Sequence, residues 1–362
     1  MTSNINEQSI ISTAPYSTKD KRIDKKNDSK PYENGKNNQI NLQEIEKNLR
    51  NLEFFDENFE LQNLIASGSE SKVYKIYCKK TKREFALKHI INEEGRKKNI
   101  NELNIVSKMK QKNIILFYGY TSSLNDDSSD YILMENAKYG NLRNFQIKVL
   151  KTAYLSESML CFLTAQILNG LIYLHRCKIA HMDIKPQNIV IDEFLNAKLI
   201  DFSISINYKG KDPEDEIKLK YKGTNFYMPL EVHDEKTIKY KDLNKIDAYA
   251  IGIILYNLAY GCYPFDLKFE DSNDYDLLYQ KIHNELKFKN DKKLSSFFID
   301  FISKLLEKDI NKRMSIYEAG KHHWIKGAEI LMVEKEKMYN MTLFVLKLIS
   351  NNLKSFNDYL SI

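Results

Sequence analysis

Cysteine is scarce in this sequence, and long runs of apolar residues are absent. Four cysteines in 362 residues, scattered without paired spacing, favour a reducing compartment over a disulfide framework. No apolar run reaches the roughly 18 to 20 residues of a membrane span, and the N-terminus lacks a hydrophobic signal core. Residue 2 is Thr, so the N-myristoylation pattern is missing too. We expect a cytoplasmic or nuclear protein with no membrane span.

Neither sign of charge dominates the sequence. The chain has 55 Lys and Arg against 49 Asp and Glu, which leaves a net charge of +6 spread over its whole length. This balance favours solubility over a nucleic-acid-binding surface, so we expect no nucleic-acid partner. The basic run at residues 19–26 favours a solvated tail over a membrane or nucleic-acid patch.

Composition divides the chain into an arm, an extension, a main body and a tail. Residues 1–40 are polar and predict a disordered arm, while residues 41–58 predict an amphipathic helix that docks on the following domain. In residues 326–362 a helical tail is predicted, and packing on the main body is favoured over a partner or membrane site. The apolar stripe of the extension consists of Leu42, Ile45, Leu49, Leu52 and Phe55.

Residues 59–135 alternate between strand-like and helical patterns, whereas later residues are mainly helical. One helix is predicted at residues 99–109, and the predicted strands are 59–65, 72–78, 84–90, 114–121 and 131–134. After residue 140, a helical face runs from Leu160 to Leu174. A second helix, Ile246–Tyr260, is apolar almost all round, which makes Asp247 a predicted buried carboxylate.

The most informative segment is the catalytic loop, defined as residues 181–188, together with the Asp201 that follows a short apolar strand. Phosphoryl transfer needs a carboxylate to orient a hydroxyl, a cation on the transferred phosphate and oxygen ligands for magnesium. The candidates for these tasks are Asp183, Lys185, Asn188 and Asp201.

This order and spacing resemble those of the eukaryotic protein kinases, and Lys185 resembles the serine/threonine type. The resemblance implies an α+β, two-lobed fold over residues 59–325, with a small antiparallel β lobe carrying one regulatory helix (59–135) and a larger, mainly helical lobe (136–325). It implies that Asp183 orients the substrate hydroxyl, that Lys185 neutralises the phosphate, and that Asn188 and Asp201 bind Mg²⁺, with Mn²⁺ as an alternative. The implied partners are ATP and a protein substrate; no regulatory partner is indicated.

The resemblance also assigns residues to nucleotide binding. Lys88 resembles the lysine that holds the α and β phosphates, with Glu102 as its ion-pair partner. The phosphate-covering loop keeps only the middle glycine of the usual three. The remaining residues implied to hold the nucleotide are Ala66, Gly68, Ser71, Val73, Ala86, Met134, Glu135 and Ala137.

A docking segment for the substrate is implied at residues 223–231. Thr224 is expected to hydrogen-bond near Asp183 and Lys185, and Glu231 to pair with Arg313. Asp247 is expected to support the same lobe. His322 and His323 match the helix that closes the family domain, which disfavours a metal site on the pair.

Two letters depart from the family pattern: Met182 replaces an Arg and Ser203 replaces a Gly. The activation loop, defined as residues 207–223, contains no Ser or Thr and offers only Tyr208 and Tyr221 as hydroxyls. Because Met182 cannot gather a loop phosphate, we expect activity without Ser/Thr phosphorylation there, with the acidic residues of the loop contacting nearby lysines. The alternative is a pseudokinase that binds nucleotide or partners through the same fold.

Overall fold

The computed structural model describes residues 58–121, 130–268, 270–271, 274–289, 294–337 and 344–345. The predicted arm and all but the last residue of the predicted extension lie outside this part of the chain. Two compact units are present. Among the described residues, the first consists of 58–97 together with 117–121 and 130–136, and the second of 98–116 together with those from 137 onwards.

The first unit is built on a five-stranded antiparallel sheet of order β1-β2-β3-β5-β4. Its strands are β1 (Phe59–Ser67), β2 (Ser71–Cys78), β3 (Arg83–Ile90), β4 (Phe117–Thr121) and β5 (Asp130–Glu135). Because successive side chains of a strand point to opposite faces, Phe85 and Leu87 lie on one face of β3 and Ala86 and Lys88 on the other. An apolar cluster that includes Phe85, Leu87 and Ile76 covers the first of these faces.

Helix α1 (Glu93–Val106) begins six residues earlier and ends three residues earlier than the predicted helix at 99–109. Asn92 explains the early start, because its side-chain oxygen accepts a hydrogen bond from the Gly95 amide at 2.8 Å. Glu93 and Glu94 then place negative charge in the first turn, where the helix dipole favours it. The apolar periodicity missed this turn because residues 93–98 contain no apolar side chain.

The predicted strand at 114–121 is wrong in its first part, since β4 begins only at Phe117. Ile114 forms an isolated parallel bridge with Leu199, and the Ile115 amide donates to the Leu199 carbonyl at 3.0 Å. These residues therefore pair with a strand of the second unit and do not extend β4.

The second unit is mainly helical, with α3 and α5 at its centre. Its helices are α2 (Leu142–Asn144), which runs into a π-helix at Phe145–Val149, α3 (Glu157–Arg176), α4 (Leu230–His233), α5 (Leu243–Tyr260), α6 (Tyr275–Ile282), α7 (Ser296–Leu305), α8 (Ile316–Ala319) and α9 (His323–Lys337). The ends follow local chemistry: Ser156 caps the start of α3 through its side chain, and Gly261 ends α5 with a φ of 72°. Asp247 is 1% exposed, which confirms the predicted buried carboxylate.

Three short two-stranded antiparallel sheets position the loops of the second unit. They are β6 (Ile179–Ala180) with β9 (Ile206–Asn207), β7 (Ile189–Ile191) with β8 (Ala197–Leu199), and β10 (Glu216–Lys218) with β11 (Thr237–Lys239). Single 3₁₀ turns lie at Pro186–Asn188, Asn225–Tyr227 and Tyr240–Asp242. Together, the sheet of the first unit and the helices of the second confirm the predicted α+β fold.

Among the described residues, α3 alone has the length and apolar composition that could cross a membrane. Most of its residues are buried inside the second unit, as in the core helix of a globular domain. Phe344, in the predicted tail, is fully buried and contacts Phe162 of α3 with ring centroids 5.4 Å apart. This contact is of the kind that the predicted packing of the tail requires. After Lys337, the rest of the predicted tail apart from Val345 lies outside the described residues.

Candidate active site

The carboxylate of Asp183 is the centre of a network of hydrogen bonds in the second unit. Its Oδ1 accepts from the Thr224 hydroxyl at 2.9 Å, and its Oδ2 accepts from the Lys185 ammonium at 2.6 Å. The same ammonium also donates to the Thr224 hydroxyl at 2.8 Å. The contact predicted between Thr224 and the catalytic loop is therefore present, and it joins the docking segment to Asp183.

The backbone before Asp183 is held in a strained conformation. Met182 has a φ of 69°, in the left-handed region that side chains rarely adopt. Asp247 supports this turn, because its two carboxylate oxygens accept from the amides of His181 and Met182, both at 2.9 Å. Burial by itself would raise the pKa of Asp247, but hydrogen bonds and charge from His175 and His181 hold it below its usual value. The buried carboxylate thus stays ionised and able to accept.

The two predicted metal ligands lie at the same end of the β7–β8 hairpin. Asn188 directly precedes β7, Asp201 follows β8 by two residues, and the Ile200 amide donates to the Asn188 carbonyl at 3.0 Å. The Asn188 side-chain nitrogen donates to the carbonyl and Oδ2 of Asp183 at 2.9 and 3.0 Å, which directs its donor end to that residue. Its amide oxygen and the carboxylate of Asp201 are hard oxygen donors, so the residues present fit Mg²⁺.

Asp201 and the residues after it adopt a defined arrangement that α1 supports. Asp201 has a φ of 65°, whereas Ser203 is not in the left-handed region. The side-chain nitrogen of Asn101, on α1, lies within hydrogen-bond distance of three backbone carbonyls. They are those of Phe202 at 3.1 Å, Ser203 at 3.3 Å and Ser205 at 2.9 Å. The buried ring of Phe202 lies 5.2 Å from the ring of His181.

In the first unit, the strands bring most of the predicted nucleotide residues onto one face of the sheet. Lys88 pairs with Val73 across β2 and β3, and Ala86 pairs with Met134 across β3 and β5. Directly opposed residues share a face, as do residues two apart on one strand. The face that carries Lys88 is therefore opposite the face that carries the apolar cluster.

The predicted phosphate-covering loop is tighter than the sequence indicates. Ala66 lies in β1 opposite Val73, and Ser71 begins β2, so only residues 68–70 connect the strands. The Gly68 amide donates to the Ser71 carbonyl at 2.9 Å and closes this turn. A close approach occurs instead at Gly95, where an added Cβ would lie 2.8 Å from the Glu70 carbonyl oxygen.

Other predicted nucleotide residues are divided between the units. Glu135 ends β5 in the first unit, while Ala137 belongs to the second unit, where its carbonyl accepts from the Gly140 amide at 2.9 Å. Lys88 belongs to the first unit and Glu102 to the second, where Glu102 is 3% exposed on α1. Their ion pair stays a prediction.

Glu231, at the end of the docking segment, forms the pair expected with Arg313. Both guanidinium NH groups donate to the two oxygens of the carboxylate, and both side chains are buried. The guanidinium also lies 4.9 Å from the centroid of the Tyr249 ring. Of the two histidines that were not expected to bind a metal, His322 bonds the Asp300 carboxylate at 2.9 Å.

The activation loop is fastened by groups other than a phosphate. Strand β10 pairs with β11, and Glu214 accepts from Lys239 at 2.8 Å and from Lys241 at 2.7 Å. The expected contact between the acidic residues of the loop and nearby lysines is therefore present. Of the two loop tyrosines, Tyr208 is 7% exposed, whereas Tyr221 is 38% exposed.

Comparison with known proteins identifies the family. A model described as the protein kinase domain matches residues 59–325. Serine/threonine-protein kinase pakH of Dictyostelium discoideum is 28% identical over 306 residues, which cover 84% of this chain and 55% of the relative. Calcium-dependent protein kinase 4 of Plasmodium berghei is 28% identical over 320 residues, with the same two shares of 84% and 55%. An Aurora kinase of Candida glabrata is 30% identical over 302 residues, which cover 82% of this chain and 78% of the relative.

The chain belongs to the eukaryotic protein kinase family. It spans about half the length of the first two relatives, 55% in each case, so their activities as whole proteins are not carried over to it.

The sequence did not indicate several residues that support the site. Asn101 bonds to the segment after Asp201, His175 to Asp247 and Tyr208 to His175. Asn101 and His175 belong to no motif quoted above, and Tyr208 was noted only as a hydroxyl of the activation loop. His175 lies in the last turn of α3, a helix with several other buried polar residues, so its position in the sequence did not mark it. The partners of Asn101 and Tyr208 come from distant parts of the chain and leave no local pattern.

Proposed function

We propose that the protein is a serine/threonine kinase that transfers the γ-phosphate of ATP to hydroxyl groups of proteins, with magnesium as its metal ion. The observation that carries this proposal is the network around Asp183. Its carboxylate accepts from Thr224, Lys185 and Asn188, which fixes its direction. A fixed carboxylate of this kind is what orients a substrate hydroxyl for in-line attack.

Each remaining residue has a part in positioning charge. Lys185 bridges Asp183 and Thr224, which places its ammonium beside the carboxylate that would orient the hydroxyl, and there it would neutralise the transferred phosphate. Asn188 and Asp201 would hold magnesium, and Lys88 would hold the α and β phosphates. When bound, ATP would supply the phosphoryl group, and Mg²⁺ would neutralise the negative charge that develops on it.

We further propose that this kinase is active without Ser/Thr phosphorylation in its activation loop. The loop has no Ser or Thr, and the hydroxyl of Tyr208 is committed to His175 in a buried position. The contacts of Glu214 with Lys239 and Lys241 provide an ionic attachment that a loop phosphate would otherwise make. Met182, which replaces the phosphate-gathering Arg, is consistent with this form of regulation.

The second candidate is a pseudokinase that serves as a nucleotide-binding or scaffold module. Ala66 and Ser71 at glycine positions, together with Met182 and Ser203, favour it. Small substitutions in a phosphate-covering loop cost about 1–2 kcal/mol, or roughly tenfold in rate, whereas loss of the charged groups costs far more. Because the charged groups are all retained, we favour the enzyme.

Phosphate transfer from ATP to a generic protein substrate tests the proposal. The enzyme is made in a host without partner kinases, and wild type is compared with Asp183→Asn and with Asp276→Asn, a matched change at an exposed position of α6. We expect transfer by wild type and Asp276→Asn, and loss of at least about a thousandfold in Asp183→Asn. Equal background in all three would support the pseudokinase, and activity only after loop phosphorylation would refute the proposed regulation.

Substrate choice and location complete the proposal. Gln187 and Asn141 stand where kinases that select Arg upstream of the target often have Glu, so we propose no strong selection for basic residues. A peptide array tests this, and a strong preference for upstream Arg would refute it. We propose a cytoplasmic or nuclear location, which microscopy of the tagged full chain can check.

A further inference from the structure

Three buried polar side chains form a continuous chain of contacts beneath the catalytic loop. The Asp247 carboxylate lies 2.7 Å from Nε2 of His175, and Nδ1 of His175 lies 3.2 Å from the hydroxyl of Tyr208. His175 is on α3, Asp247 is on α5 and Tyr208 is in the activation loop. The exposed fractions are 1%, 1% and 7%, so water does not compete strongly for these contacts.

At one end, this series of contacts holds the backbone conformation next to Asp183. The two oxygens of Asp247 accept from the amides of His181 and Met182, and Met182 has a left-handed φ of 69°. A strained residue keeps its conformation only where its surroundings fix it. The direction of the Asp247 carboxylate therefore affects the backbone that carries the catalytic carboxylate.

At the other end of the series, Tyr208 belongs to the activation loop. The Tyr208 amide donates to the Lys178 carbonyl at 2.8 Å and continues the pairing of β9 with β6. The Tyr208 ring is part of a buried cluster with Leu219 and Met228, from the activation loop and the docking segment. Burial raises the pKa of Tyr208 well above its usual range, so its hydroxyl keeps its proton.

The direction of the hydrogen bonds follows from these chemical groups. An ionised carboxylate only accepts, so Nε2 of His175 carries the hydrogen that lies between it and Asp247. The hydroxyl of Tyr208 lies 3.2 Å from Nδ1 of His175 and donates to the His175 carbonyl oxygen at 3.3 Å, so it contacts both the ring and the backbone of His175. Without this hydroxyl, the imidazole loses its contact at Nδ1, which helps to orient the ring toward Asp247.

We propose that Tyr208 is a positioning residue, which couples the seated activation loop to the catalytic loop through His175 and Asp247. When the loop is seated, the phenol orients His175, His175 orients Asp247, and Asp247 holds the amides that precede Asp183. A loop that leaves its seat withdraws the phenol and loosens the backbone next to Asp183. The conformation of the loop thus affects the backbone next to Asp183 without a phosphate.

Removal of the hydroxyl alone is the first test, and this arm rests on the proposed kinase activity. Tyr208→Phe removes the hydroxyl and keeps the buried ring. Tyr240→Phe is the matched control, because the Tyr240 ring stacks on the Tyr208 ring with centroids 5.9 Å apart. We expect Tyr208→Phe to lower kcat about three- to tenfold with the KM for ATP unchanged, since one hydrogen bond of the positioning network is lost. Tyr240→Phe should leave both constants unchanged. A wild-type kcat in Tyr208→Phe would overturn the proposal.

A double-mutant cycle tests whether the effect passes through His175. If it does, adding Tyr208→Phe to His175→Gln lowers kcat no further than His175→Gln alone. Effects that multiply would show that Tyr208 acts by another route and would overturn the proposal.

Amide hydrogen exchange decides the coupling even if the chain transfers no phosphate. Residue-resolved exchange of the His181 and Met182 amides is expected to become faster in Tyr208→Phe and to stay unchanged in Tyr240→Phe. An inert wild-type enzyme with this exchange pattern would reject the proposed function and keep the coupling. Unchanged exchange in Tyr208→Phe would overturn the coupling, whatever the activity.

Discussion

Glu231 and Arg313, 82 positions apart in the sequence, form a bidentate ion pair that is almost completely buried. Further bonds from the guanidinium reach the carbonyls of Glu307 and Lys308 at 2.7 and 3.2 Å. The pair therefore ties the end of the docking segment to the loop before α8. Because both side chains are buried, water cannot replace the missing hydrogen bonds if one partner is removed.

Arg313→Met should destabilise the second unit strongly, because it leaves the Glu231 carboxylate buried without a partner. Such a loss costs about 3–5 kcal/mol, measured as a lower free energy of unfolding in urea. Lys304→Met is the control, since its pair with Asp300 is about half exposed and should contribute at most about 1 kcal/mol. Equal small effects of both substitutions would contradict the predicted importance of the buried pair.

Asn101→Asp should impair catalysis, because it replaces the donor that faces three carbonyl oxygens with a negatively charged acceptor. We expect kcat to fall roughly tenfold or more, since the segment after Asp201 loses its attachment to α1. Asn207→Asp is the matched change. Asn207 is exposed and uses only its oxygen, which accepts from the Lys209 amide at 3.1 Å, so an Asp keeps the contact. Equal kcat values for the two variants would be evidence against a role for Asn101.

The contacts of Glu214 predict a dependence of stability on pH. Hydrogen bonds from Lys239 and Lys241 lower the pKa of Glu214 from 4.5 to about 2. Because the folded-state pKa is depressed, the stabilisation is fully present above the unfolded pKa of 4.5 and is lost as the pH falls toward 2. The effect is small and sensitive to salt, since Glu214 is exposed.

The measurement is the difference in Tm between wild type and Glu214→Gln across this pH range. The difference should be constant above about pH 5 and shrink below it, and added salt should reduce it at neutral pH. Asp276→Asn serves as the control for loss of one exposed carboxylate. A difference that does not change with pH would show that Glu214 does not stabilise the folded loop.

Phe344→Ala tests the attachment of the C-terminal tail. The Phe344 ring is fully buried against Phe162, so its removal should lower the free energy of unfolding by about 3–5 kcal/mol. Val333→Ala, at a side chain that is 47% exposed on α9, should have little effect. If both variants unfold like wild type, the tail does not contribute to the stability of the domain.

Local sequence patterns predicted the elements that have strong periodicity. The apolar positions of α3 and α5 repeat with the helical period, so both helices could be placed, and Asp247 could be recognised as buried. The first turn of α1 could not, because Asn92 and two glutamates start it without apolar residues. Residues 114–116 look like strand, but Ile114 forms a bridge with Leu199 and the Ile115 amide donates to the Leu199 carbonyl, a partner that periodicity does not reveal.

The candidate site was predictable to the extent that its residues are close in sequence. Asp183, Lys185 and Asn188 lie on one loop, where their spacing alone restricts them to a common cluster. The resemblance to protein kinases supplied the distant members, Thr224 and the Glu231–Arg313 pair. Neither the spacing nor the resemblance indicated Asn101, nor the link from Tyr208 to His175.

The sequence by itself determined the chemical groups of the phosphoryl-transfer motif and their order, because short spacings on a loop constrain which side chains can meet. Only the tertiary structure decided how the activation loop is held and how Asp183 is supported. Strand β10 pairs with β11, Glu214 contacts two lysines, and the Tyr208 hydroxyl contacts the imidazole of His175. These contacts join segments that only the packing of the second unit brings together, since their strength depends on burial and direction rather than on position along the chain.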